Sequence, residues 1–374
     1  YDMAPLSRWL IGMLLKTDTV TLVNLVSDTR AVPEFLGSNC RADLIAVMGL
    51  ETGKTLDQGD PEVSEAIDFA HYYAQLGVEL EQVEGATAVP VDLVVVTPPW
   101  NFPVAIPAGS TLSALAAGAS VIIKPADLAK RSGAVMVECL WAALDEAGVS
   151  RDVLQLVRLS ERDLGTQLVS HPAVGRLILT GGYETAQLFR EFRPELPLLA
   201  ETSGKNAIIV ASSADLDLAA KDVVLSAFGH AGQKCSAASL VILVGRAARS
   251  ARFHRQLLDA ANSMKVGWPV DPRTQVGPVV EPPREKLRRG LTQLGEGESW
   301  ALEPRALDDS DRLFSPGVRT GVKAGSEFHL TEYFGPILGV MTADTLEQAV
   351  GYVNAIDYGL TAGIRSRDAV ELTY

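Results

Sequence analysis

Asp92-Leu93-Val94-Val95-Val96-Thr97 is a continuous apolar run, followed at once by the proline-braced Pro98-Pro99-Trp100-Asn101-Phe102-Pro103. A run that is apolar at consecutive positions, without alternation, suits a strand buried on both faces of a parallel sheet. The same signature returns in Ser120-Val121-Ile122-Ile123-Lys124 and in Gly175-Arg176-Leu177-Ile178-Leu179-Thr180, with Leu198 to Glu201 as a shorter candidate. Helix-like stretches lie between and after them, at Pro107 to Ala117, Ala129 to Ala147 and Glu184 to Arg193. Parallel strands need a crossover between them, so this alternation predicts an α/β fold with a doubly wound parallel sheet.

The pattern extends in both directions. Upstream, Leu44, Ile45, Met48 and Leu50 follow Arg41 at helical spacing, as do Val63, Ala66, Ile67, Ala70 and Tyr73 within Glu62 to Leu76. Downstream, Asn206 to Val210, Leu240 to Val244 and Ile337 to Met341 read as strands. Leu216 to His230, Ala247 to Met264 and Thr345 to Ala355 read as helices. The polar stretch from Gly267 to Ser315, rich in Pro and Gly, suggests surface excursions within one domain. Before about residue 40, Leu10 to Leu15 and Val20 to Val26 are apolar but carry no chemical motif.

Composition narrows the function classes. Lys and Arg number 33 against 46 Asp and Glu, a net charge of −13, which disfavours non-specific nucleic-acid binding. No apolar run is long enough for a membrane span. Cys40, Cys139 and Cys235 are widely spaced, giving neither a disulfide framework nor metal-ligand spacing, so a reducing, cytoplasmic setting is expected. His71, His171, His230, His254 and His329 are scattered, so no metal site is expected. The chain opens on Tyr1 and stops at Tyr374 just past a helix-like segment, so both ends read as cuts in a longer protein.

Chemistry concentrates in a few segments. Gly232-Gln233-Lys234-Cys235-Ser236 sets a lone cysteine among small and polar residues, with Glu201 upstream in Glu201-Thr202-Ser203-Gly204-Lys205-Asn206. A thiolate is a nucleophile, and a carboxylate whose pKa burial has raised can take a proton. A cysteine in this setting can equally be an inert packing group. Asn101 sits just beyond a buried strand, where open α/β sheets bind ligands, and its amide can donate to a developing oxyanion; it can also be an ordinary turn residue. Lys124 ends the second strand, where a cation can grip a ribose hydroxyl or a phosphate, or lie exposed. Gly181 and Gly182 form a strand-to-helix turn that admits a phosphate, or serve as a tight turn only. Glu332-Tyr333-Phe334-Gly335-Pro336 joins an acid to aromatics that can meet a ribose and a nicotinamide ring, or pack in a core.

Taken together, and in this order and spacing from about Leu44 to about Ser366, these segments resemble the aldehyde dehydrogenase superfamily. The resemblance implies a Rossmann-like NAD-binding domain and an α/β catalytic domain, here over 41–203 and 204–374, with 1–40 unassigned. It implies oxidation of an aldehyde through a thiohemiacetal and a thioester on Cys235. Asn101 and the backbone N–H of Cys235 would form the oxyanion hole, and Glu201 would activate the hydrolytic water. Lys124 and Glu332 would hold ribose hydroxyls, and Gly181 and Gly182 would line the pyrophosphate. Phe334, with Thr97, Pro98 and Trp100, would line the cofactor site. Tyr183 stands where the family often has Ser or Thr.

Several phrases are similar to the branch that oxidises L-glutamate γ-semialdehyde, as in bacterial proline utilization A. They are Thr97 to Pro103, Thr180 to Thr185, Gly295-Glu296-Gly297-Glu298-Ser299-Trp300 and Ser326 to Gly335. That resemblance implies Ser236 and Phe102 as substrate contacts and NAD as cofactor. It implies FAD only if a proline dehydrogenase module is fused to or associated with the chain. It also implies a homo-oligomer and a chain that continues past Tyr374. NADP remains an alternative, because neither Asp127 nor Glu184 can be placed at the adenosine ribose. Another semialdehyde or aliphatic aldehyde is the alternative substrate, and a catalytically silent scaffold or regulatory module the alternative of another class.

Overall fold

The computed structural model describes residues 31–80, 82–159 and 162–374. The apolar runs Leu10 to Leu15 and Val20 to Val26 lie outside them. The chain forms two compact units: one holds the described residues up to Thr52 together with Gly59–Thr202, the other Gly53–Gln58 and Ser203–Tyr374.

The first unit is built on five strands: β1 (Leu93–Thr97), β2 (Ser120–Ile123), β3 (Leu154–Leu156), β4 (Arg176–Thr180) and β5 (Leu198–Glu201). They are ordered β3-β2-β1-β4-β5 and every pairing is parallel. The unbroken apolar run has its explanation here, since all positions of β1 are buried. Val94 and Val96 enter one core with Leu112, Leu115 and Leu140, whereas Leu93 and Val95 enter a second core with Val169 and Leu177. Helices Ala105–Ala116, Lys130–Glu146 and Tyr183–Phe192 follow β1, β2 and β4. Two further helices, Arg41–Thr52 and Leu56–Leu80, precede the sheet. The second begins ahead of the expected Glu62 because Pro61, which reads as a start signal, is tolerated inside it. Strand β3 and the helix Arg162–Ser170 were not expected; both are too short to show a period.

The cysteine expectation is corrected here. Cys40 and Cys139 are joined by a disulfide, Cα to Cα 6.3 Å, closing a sequence separation of 99. Spacing in sequence says nothing about two residues that a helix pair brings together: Cys40 caps the start of Arg41–Thr52, and Cys139 lies on the helix packed against it.

The second unit has strands β6 (Asn206–Val210), β7 (Ala238–Val244), β8 (Ser299–Leu302), β9 (Gly317–Thr320), β10 (Ile337–Ala343) and β11 (Ala362–Arg365), in the order β11-β6-β7-β10-β9-β8. Only the β8–β9 pairing is antiparallel. Helices Leu216–Phe228, Ala251–Ser263 and Leu346–Asn354 cover it. The irregular stretch from Gly267 contains the helix Glu285–Thr292 and β8. That helix buries only Gly290 and Leu291, so its sequence shows almost no apolar stripe. The helix expected to reach His230 stops at Phe228, for a reason that belongs to the site.

Candidate active site

In the first unit the singled-out residues gather along one edge of the sheet. Thr97 closes β1, Lys124 follows β2, Gly181 and Gly182 follow β4, and Glu201 closes β5. The chain runs outward from β1 through β2 and β3, then returns to the other side of β1 for β4. The crevice between β1 and β4 is therefore the topological switch point, where such sheets bind ligands. Thr97 Oγ1 spans it, donating to the Ile178 carbonyl at 3.2 Å. Pro98 and Asn101 are buried in the loop beyond, and Trp100 and Phe102 are half-buried.

Helix N-termini on this edge differ in a way that bears on anions. The turn starting Ala105–Ala116 is closed by buried Glu62, whose Oε1 accepts from Val104 N at 2.8 Å and Ala105 N at 3.1 Å. The start of Lys130–Glu146 is closed by Glu51, which accepts from Arg131 N at 2.8 Å and from Ser132 N and Oγ at 2.7 Å. Tyr183–Phe192 begins at Gly182, which has no side chain of its own to cap it. A carboxylate already fills the anion position at the first two; the third opens on the Gly181–Gly182 turn at the switch point, where bare glycine backbone admits the close approach of a phosphate. The Glu184 carboxylate comes 3.3 Å from where a Cβ on Gly182 would stand. Lys124 is half-buried, its Nζ 3.5 Å from the Pro125 carbonyl. Asp127 pairs with Lys130 at 3.1 Å on the surface. Glu201, which the base reading would bury, lies exposed at the end of β5.

In the second unit three loops converge, each leading into one of the adjacent strands β6, β7 and β10. Cys235, a half-buried thiol outside the disulfide, lies on the loop into β7. His230, Ala231 and Gly232 before it are all left-handed, with φ of 52°, 53° and 68°. This run ends the preceding helix and turns the chain sharply. A left-handed backbone is costly at two non-glycine residues in succession, and such strain persists only where surroundings impose it. Close packing imposes it here: a Cβ on Gly232 would stand 2.2 Å from the Gly335 carbonyl, in the loop into β10. Phe334 in that loop is left-handed too, at φ 58°. Gly204, on the loop into β6, abuts the Cys235 carbonyl, 3.0 Å from where its own Cβ would be.

Side-chain amides fasten these loops. Asn206 Nδ2 donates to the Cys235 carbonyl at 2.6 Å and the Ala237 carbonyl at 3.0 Å, and its Oδ1 accepts from Thr361 N at 3.1 Å. Gln233 Nε2 donates to the His230 carbonyl at 3.1 Å and the Pro278 carbonyl at 3.3 Å, and its Oε1 accepts from Val280 N at 2.9 Å. Ser236 is exposed beside the thiol. Glu332 Oε1 accepts from Gly204 N at 3.0 Å. Burial pushes the Glu332 carboxyl above the usual carboxylate range, against the opposing pull of that hydrogen bond and of nearby lysines. His230 is held well below the usual imidazole range by burial and then by Lys54 and Lys234.

Asn206 and Gln233 were not singled out from the sequence. Asn206 left one signal, a polar residue opening an otherwise apolar buried strand. The phrase Gly295 to Trp300 also finds its place: Glu298 Oε2 pairs with Arg319 at 2.8 Å, both side chains 2% exposed, and the Trp300 ring lies 4.7 Å from the Arg319 guanidinium.

Two parallel-rich sheets, a switch-point crevice and a strained loop carrying a reduced cysteine define the class, and the family model agrees: residues 36–374 match the aldehyde dehydrogenase family, and the chain belongs to it. Among curated relatives, a 1-pyrroline-5-carboxylate dehydrogenase from Geobacillus sp. (strain WCH70) is 34% identical over 347 residues, 87% of this chain and 66% of that protein. Proline utilization A (PutA) from Corynebacterium freiburgense is 50% identical with a TM-score of 0.91, covering 97% of this chain and 37% of that one. A Thermus 1-pyrroline-5-carboxylate dehydrogenase solved with bound NAD is 32% identical with a TM-score of 0.84, covering 97% of this chain and 72% of that one. The chain thus spans just under two thirds of the length of the curated relatives it matches. Among the described residues no helix is long and apolar enough to cross a membrane.

Proposed function

We propose that the protein oxidises L-glutamate γ-semialdehyde, the open form of 1-pyrroline-5-carboxylate, to L-glutamate with NAD+. The observation that carries the reading is the Cys235 loop: a thiol outside any disulfide, on a backbone held by strain, by Asn206 and by close approach of two glycines. Fixed geometry of this kind is what nucleophilic catalysis requires and packing does not. In the proposed reaction the Cys235 sulfur adds to the aldehyde carbon. Asn101 and the Cys235 N–H donate to the resulting oxyanion, Glu201 takes a proton from the water that cleaves the thioester, and Ser236 and Phe102 contact the substrate. A bound NAD+ supplies the hydride acceptor. The glycine turn at Gly181 and Gly182 would take its pyrophosphate, and Lys124 and Glu332 ribose hydroxyls, with Phe334, Thr97, Pro98 and Trp100 alongside.

The names of the relatives support the substrate, and those called PutA support a proline dehydrogenase, with its FAD, fused to or associated with this module. A homo-oligomer goes with that reading. The test follows NADH absorbance on mixing the purified protein with glutamate γ-semialdehyde and NAD+. Turnover is expected to fall to background, by on the order of 10⁴-fold, in Cys235→Ala. Full turnover in that variant would sink the mechanism. NADH formed only with aldehydes lacking the α-amino acid head would keep the mechanism and discard the substrate.

A further inference from the structure

Lys205 follows Gly204 on the loop into β6. It is 3% exposed, and its Nζ has no hydrogen-bond partner. The ammonium instead faces aromatic rings: Nζ lies 4.0 Å from the Phe328 centroid and 5.4 Å from that of Tyr333. The Arg319 guanidinium also lies 4.0 Å from the Phe328 centroid. Phe328 and Tyr333 belong to the phrase Ser326 to Gly335, and Glu298, which holds Arg319, to Gly295 to Trp300. Both phrases therefore build a nest for two buried cations. Lys205 and Glu332 line one small cleft with Gly232, Lys234 and Phe334.

We propose that Lys205 is a positioning residue for the cofactor: from the cleft it shares with Glu332, its buried ammonium helps hold that carboxylate ready to accept hydrogen bonds from a ribose. The inference rests on the reading that Glu332 holds the cofactor. Every charged group around Lys205 bears on it. Arg319 carries a constant charge paired with Glu298. His329 is satisfied on both ring nitrogens, by Gly325 N at 2.9 Å and the Tyr352 carbonyl at 2.9 Å, and burial keeps it below its usual range. Tyr333, whose hydroxyl donates to Glu327, is pushed up to about 12, chiefly by burial. Hydrogen bonds from Gly204 N and from Ser203, and the charge of Lys286, all favour the ionised Glu332 more strongly than Lys205 does; of these Lys286 lies exposed on Glu285–Thr292, where salt screens it. Lys205 is pushed down to about 7 by burial and then by Arg319, against the pull of Glu332 and Glu298. Its charge is therefore present on the acid side, where Glu332 takes up its proton, and absent well above neutrality.

That difference gives a pH signature which a merely structural role would not produce. The dissociation constant of NAD+ is measured by quenching of tryptophan fluorescence from pH 5.5 to 9.5, at high salt to screen Lys286. Wild type, Lys205→Met, the second neutral variant Lys205→Gln, and Glu332→Gln are compared. Wild type should weaken on acidification as Glu332 protonates. In both Lys205 variants that limb should move to higher pH, making binding weaker than wild type on the acid side and equal to wild type near pH 9. Weakening by the same factor at every pH in the Lys205 variants, or none at any pH, overturns the inference. Glu332→Gln binding like wild type across the range overturns the underlying reading of the cofactor site, and the inference with it.

Discussion

The two sheets use opposite edges. In the first unit the candidate residues stand at the carboxyl ends of β1, β2, β4 and β5, beyond strands whose backbone bonds are already made. In the second they stand in loops entering the amino ends of β6, β7 and β10. Carboxyl-edge sites are fashioned from what a βα unit leaves over, namely helix N-termini and strand-end side chains, two of those N-termini being closed by a single carboxylate each. The amino-edge site has no such ready parts. Its loops are held by left-handed backbone, glycine contacts and amide side chains that satisfy carbonyls one by one. The difference teaches that the first edge should tolerate change better than the second.

The largest effect that would sharpen this contrast comes from Gly232→Ala. The new methyl would meet the Gly335 carbonyl at 2.2 Å on a backbone already at φ 68°. A loss of about 3 kcal/mol or more is expected from denaturant unfolding. A stable variant would show that the loops yield, and would break the comparison. Asn206→Ala should cost about 2 kcal/mol, since it leaves the Cys235 and Ala237 carbonyls and the Thr361 N–H without their partner, and should also change the alkylation rate of Cys235. On the first edge, Glu62→Ala removes one helix cap and should cost about 1–2 kcal/mol, read as a lower melting temperature. A cost there exceeding that of Asn206→Ala would reverse the ranking.

The smallest effects test the electrostatics. The native pKa of Lys205, about 7, lies below the unfolded value, so the unfolded chain binds more protons between pH 7 and about 10.5. Stability from this group therefore rises with pH across that window. Lys205→Met should stabilise the fold, and by more at pH 7 than at pH 10 in parallel melts. Asp217→Ala breaks an exposed pair with Arg252 and should stay within about 0.5 kcal/mol.

How much could be read beforehand follows the same division. The run Leu93–Thr97 announced a doubly buried strand because burial on both faces removes polar positions altogether. The carboxyl-edge rule then placed Thr97, Asn101, Lys124 and Gly181 without coordinates. Strand β9 and helix Glu285–Thr292 were hidden, since a strand carrying a buried, paired Arg319 and a helix with a charged face look polar. Asn206 and Gln233 were hidden because their partners are carbonyls, which every residue has. Lys205 reads as a surface lysine until the rings around it are seen. Glu201 was legible as a type of residue, but its exposure was not.

The disulfide between Cys40 and Cys139 spans the exposed stretch from Glu84 to Val89. Exposed, small-residue segments of this sort are where proteases cut. A chain severed there would still be one covalent object: a non-reducing gel would show a single band and a reducing gel two. The link thus makes the first unit resistant to fragmentation without making it resistant to cleavage.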